Sequence, residues 1–86
     1  NPNQTKEEEK AVFVYPNPAE GQLFISTHEI LDAPPSLITL SGSEMKVSAQ
    51  YQSQQWVMQV NDVLPGMYIL KYSIEGESVY KKVVIQ

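Results

Sequence analysis

The chain has no cysteine, one histidine, only six Lys and Arg, and no long apolar run. Without cysteine there is no disulfide framework, no thiolate nucleophile and no cysteine-based zinc site. The shortage of basic residues, set against ten acidic ones, leaves a formal charge of −4 and a pI near 4.8. Nucleic acid is therefore not an expected partner, because phosphate binding needs a clustered basic face. The one basic doublet, Lys81-Lys82, cannot supply it, since adjacent strand residues point to opposite faces. No apolar stretch approaches the ~18 residues of a membrane span, so membrane insertion is not expected either. No segment near the start has the charged-then-apolar layout of a signal peptide. The chain opens on Asn rather than Met, and the expectation is a piece of something longer.

The residues that carry chemistry are equally sparse. His28 stands beside Glu29 at a strand end, with no nucleophile or orienting acid signalled nearby. Asp32, Asp62 and the Glu7-Glu8-Glu9 block are scattered through loops and linker, not set at chelating or paired-carboxylate spacing. No glycine-rich phosphate loop occurs. The reading is a domain with no enzyme activity, cofactor or metal of its own. Trp56 and the five tyrosines could form a sugar-stacking platform, although in a small domain large aromatics more often build the core. Tyr51 and Trp56, flanking one polar tip, are the pair that would serve.

What is present is a pattern of short strands. At 86 residues the chain makes one small domain, able to bury roughly 60–65% of the surface its unfolded form exposes. Residues 1–10, NPNQTKEEEK, lack any apolar side chain and read as a solvated linker, with the domain at 11–86. Val12–Tyr15 is a short strand that stops at Pro16-Asn17-Pro18, where neither proline can donate to a ladder. Gln22–His28, Ser36–Ser41, Met45–Tyr51 and Trp56–Val60 follow, separated by turn signals. The best-patterned stretch is the last, GMYILKYSIEGESVYKKVVIQ, which reads as a hairpin. A two-residue loop at Gly76-Glu77 sets Ile74 opposite Val79 and Tyr72 opposite Lys81, and a loop at Glu75-Gly76 slides the partners by two. Either register puts Tyr68, Leu70, Tyr72, Ile74, Val79, Val83 and Ile85 on the core face. Lys81 shares that face, with its stem along the Tyr72 ring. The sum is an all-β, seven-stranded antiparallel sandwich, a small barrel being the alternative. Nothing charged blocks the Gln22–His28 strand, so self-association through that edge is open. Removing Lys82–Gln86 is expected to unfold the domain.

Three segments in this order resemble a known family. Tyr15-Pro16-Asn17-Pro18-Ala19-Glu20-Gly21-Gln22-Leu23 is similar to the PNPxxGxL segment that opens the C-terminal sorting domains of the type IX (Por) secretion system. Leu64-Pro65-Gly66-Met67-Tyr68-Ile69-Leu70 resembles their LxxGxYxL segment, shortened by one spacer residue. Lys81-Lys82-Val83-Val84-Ile85-Gln86 resembles their closing KKhhh signature, and the Ser41–Met45 turn resembles a central turn of the family. The resemblance spans residues 12–86. It implies an Ig-like sandwich and a non-catalytic secretion signal that directs a periplasmic cargo across the outer membrane of a Gram-negative bacterium. It implies translocon proteins and a sortase-like peptidase as partners. Pro16, Asn17, Pro18, Gly21, Leu64, Gly66, Tyr68, Lys81, Lys82, Val83, Val84, Ile85 and Gln86 are the expected recognition residues. Cleavage is expected within Thr5, Lys6, Glu7, Glu8, Glu9 and Lys10. Some members retain the domain as a docking module. An Ig- or fibronectin-like surface module binding carbohydrate or protein is the other reading.

Overall fold

The structure is a computed structural model that describes residues 12–86. The expected linker, residues 1–10, lies outside the described residues. Those described form eight strands and no helix, so none of them makes a helix long and apolar enough to cross a membrane.

The hairpin consists of β7 (Gly66–Ile74) and β8 (Glu77–Ile85). Ile74 pairs with Glu77, Tyr72 with Val79, Leu70 with Lys81 and Tyr68 with Val83, so the loop is Glu75-Gly76. Both loop residues have positive φ, 52° at Glu75 and 81° at Gly76. That is the turn whose twist matches paired strands, and glycine enters it without a Cβ penalty. Leu70, Tyr72, Ile74, Val83 and Ile85 are buried, while Tyr68, Val79 and Lys81 are half-buried. The direct partner of Lys81 is Leu70 rather than Tyr72.

Two four-stranded antiparallel sheets share one core. The first runs β4 (Glu44–Met45), β3 (Ser36–Ile38), β7, β8. The second runs β1 (Val12–Glu20), β2 (Gln22–Thr27), β6 (Gln55–Gln59), β5 (Ser48–Gln52). They join where Ala19 of β1 lies parallel to Ile85 of β8. Leu23, Ile25 and Met58 from one sheet meet Leu37, Leu70 and Ile85 from the other in a single buried cluster. Apolar burial from both layers is the main stabilising term in a domain this small.

Three expectations are corrected. The strands number eight, not seven, because Met45–Tyr51 is divided between sheets: Met45 pairs with Leu37, whereas Ala49 pairs with Met58. Lys46 and Val47 belong to neither strand, but exposure keeps alternating from Met45 to Ala49, so the period-two pattern runs unbroken through the crossover. The first strand does not stop at Tyr15. It continues through Pro16 and Pro18, both preceded by cis peptide bonds, to Glu20, changing neighbours from β2 to β8. Gln22–His28 is not an edge, since β2 has β1 on one side and β6 on the other.

Candidate functional site

The end of β8 is where the three singled-out segments meet. On one side, Asn17 Oδ1 accepts the Val84 N–H at 3.0 Å, and the Gln86 N–H donates to the Ala19 carbonyl at 2.7 Å. Pro16 and Pro18 have no N–H to offer. The acceptor for the Val84 N–H is the side chain between them, and the small Ala19, fully buried, lets the backbones close. On the other side, Gly66 pairs with Ile85, Met67 with Val84 and Tyr68 with Val83. The Tyr68 hydroxyl donates to the Leu64 carbonyl at 2.6 Å, tying the Leu64-Pro65-Gly66 turn to the strand it feeds. Gly66 sits at φ +155° with the Tyr68 ring 3.7 Å from where a Cβ would lie. The backbone angle, more than the space, is what favours glycine there.

The expected recognition residues divide accordingly. Asn17, Gly66, Tyr68, Val83, Val84, Ile85 and Gln86 are brought together, with Pro16, Pro18 and Leu64 around them. Gly21 stands at the β1–β2 turn, where its carbonyl accepts the Val60 N–H at 2.9 Å. Lys81 and Lys82 lie further back along β8, opposite Leu70 and Ile69. Thr5, Lys6, Glu7, Glu8, Glu9 and Lys10, the expected cleavage region, fall outside the described residues. The exposed members are Pro16, Asn17, Pro18, Leu64, Gly66, Lys82 and Gln86, while Val83 and Ile85 face the core. The turns and the outward half of the strand are therefore exposed, whereas the apolar half sets their positions.

Sequence reasoning missed two residues of this frame. Ala19 carried no motif letter, yet it is the point where the two sheets join. Asp32 was read as one of several scattered loop carboxylates. Its carboxylate accepts the Gly76 N–H at 2.8 Å, the Ser73 hydroxyl at 3.0 Å and the Glu75 N–H at 3.2 Å. Its own N–H donates to the Ser73 carbonyl at 2.9 Å. The Gly76 N–H, then the Ser73 hydroxyl, hold its carboxyl below the ordinary carboxylate range.

Elsewhere, no three His, Asp or Glu side chains gather among the described residues. No buried side-chain N or O among them lacks a hydrogen-bond partner. Tyr51 and Trp56 do meet, with centroids 5.4 Å apart and rings tilted by 55°. They line a shallow cavity of about 330 Å³ with Glu29, Ile30 and Leu31. On the outer face of β1 and β2, Tyr15 stacks on Phe24 at 5.5 Å, next to an exposed Phe13.

The secretion system C-terminal sorting domain family matches residues 13–86. The chain belongs to this family of type IX secretion sorting signals. A search of curated proteins found no match. Membership makes the chain part of a secreted protein bound for the outer membrane or the extracellular space, and implies interaction with the type IX machinery.

Proposed function

We propose that this chain is a non-catalytic address label read in the folded state. Its cargo crosses the periplasm and passes through the outer-membrane translocon once translocon proteins dock on the Pro16–Gly21 turn, the Leu64–Gly66 turn and the outward residues of the final strand. A sortase-like peptidase then cuts between Thr5 and Lys10. On this reading the two sheets are an Ig-like sandwich with an added short strand, β4. The observation that carries the proposal is the convergence on one strand end. Asn17 clamps Val84 from one side while Gly66–Tyr68 pair with Val83–Ile85 from the other. A strand held from both sides presents its outward groups in one geometry, which favours recognition by lowering the ordering cost of binding.

The test is a reporter with a signal peptide fused to residues 1–86, expressed in a host that has this translocon. The reporter is expected at the surface or in the medium. Retention in the periplasm, while an established sorting domain exports the same reporter, overturns the proposal. The reading as a carbohydrate-binding module draws on the outer aromatic group of Phe13, Tyr15 and Phe24. It predicts saturable glycan binding that is lost in Phe13→Ala, with no export of the reporter.

A further inference from the structure

The edge of β8 has an open stretch with a particular charge pattern. Val84 and Gln86 send their N–H groups away from β7, to Asn17 and Ala19. In an antiparallel pair, alternate residues turn their backbone groups to the same side, so Ser78, Tyr80 and Lys82 also point away from β7. Among the described residues β1 pairs with β8 only at Ala19↔Ile85, with the Asn17 side chain on Val84 beside it. Among the described residues, no strand pairs with β8 on that side from Ser78 to Lys82. Unpaired edge groups of this kind are what an added strand satisfies.

The lysines say which strand. Lys46, Lys71, Lys81 and Lys82 are the described lysines, and all but Lys46 stand on this hairpin. Lys71 is opposite Tyr80, on the same outer face as Lys82, whereas Lys81 lies half-buried on the core-side face. A ligand resting on either face of the sheet reaches only one member of the Lys81-Lys82 doublet. A chain lying in the plane of the sheet reaches both, because its own neighbouring side chains also alternate. Glu77, at the turn end of β8, is the acidic residue of this strand.

We propose that the β8 edge at Ser78–Lys82 receives an extended acidic segment of a partner protein as an added strand. Adjacent carboxylates of that segment would meet Lys81 on one face and Lys82 on the other. The inference rests on the sorting reading for its setting, with the partner a component of the secretion machinery, and it is tested separately.

The probe is a short synthetic peptide of Thr-Glu-Glu-Thr repeats, with a Thr-Lys-Lys-Thr peptide as control, titrated into the chain while amide exchange is followed by NMR. The acidic peptide is expected to slow exchange at Ser78, Tyr80 and Lys82 saturably. Lys82→Glu, at an exposed position, is expected to weaken binding roughly fivefold or more, with salt acting in the same direction. Tyr80→Pro removes one outward N–H while leaving the β7 ladder its donors, and is expected to abolish protection at Lys82. Three results would overturn the proposal: no protection at these amides, equal protection by the lysine peptide, or protection without peptide accompanied by a dimer mass. The last would make a second copy the occupant. Export of the reporter by wild type and equally by Lys82→Glu and Tyr80→Pro would leave sorting intact and remove this edge from it. Slowed exchange without export would do the reverse, keeping the site and sinking the sorting role.

Discussion

Asn17 stands between two prolines that have no N–H to donate, and its side-chain oxygen accepts the Val84 N–H. Because that bond is exposed, its loss is cushioned by water. Asn17→Ala should cost about 1 kcal/mol, read as a lower urea midpoint with an unchanged slope. Asp32 gives a prediction with a sign. Its carboxyl is held below the ordinary range by the Gly76 N–H and the Ser73 hydroxyl. The folded state therefore binds this proton less readily than the unfolded chain does. The stabilisation is complete above the ordinary carboxylate value and is lost as pH falls through the depressed one. In Asp32→Asn, stability should fall less steeply across that acidic window than in wild type. An equal slope in both would show that Asp32 contributes nothing to acid sensitivity. Neither residue's part was legible in the sequence. A lone Asn or Asp shows its own turn preference but not which distant backbone group it will meet.

At the scale of elements, the hairpin was legible because one side of it is buried. Tyr68, Leu70, Tyr72 and Ile74 alternate with outward residues, and any one-residue slip would expose them. The choice between two registers was not legible, since both put the same faces together. The structure takes the one that sets positive φ at Glu75 and Gly76. The crossings between sheets were hidden for a related reason. Across Lys46-Val47 the alternation continues while the chain changes sheets, whereas at Pro16–Pro18 it breaks, with Val14 and Ala19 both on the core side, and the prolines read as a strand end. The edges follow from those crossings. The uncharged edge is β5, Ser48–Gln52, and not the Gln22–His28 strand. Ile85 is the element-scale test, being buried beside both Gly66 and Ala19. Ile85→Ala should cost about 2–5 kcal/mol, enough to unfold much of a marginal domain, as a thermal melt would show. A cost near zero would mean that the strand end is not part of the core.

For the whole molecule, the three segments that carried the family resemblance are far apart in the chain and contiguous in space. Order and spacing were sufficient to name the family. Only the fold shows that Asn17, Gly66–Tyr68 and Val83–Gln86 stand together at one strand end. The export signal proposed for this chain is the clamped strand end carried on a folded domain. Its most direct test compares two reporter fusions in a host with the type IX translocon. One carries the full chain, the other lacks Lys82–Gln86, and the folded state of each is checked by protease resistance. The full-length fusion is expected to be folded and exported. The truncated fusion is expected to lose protease resistance and stay in the periplasm. Export of the truncated fusion at the full-length level would contradict it.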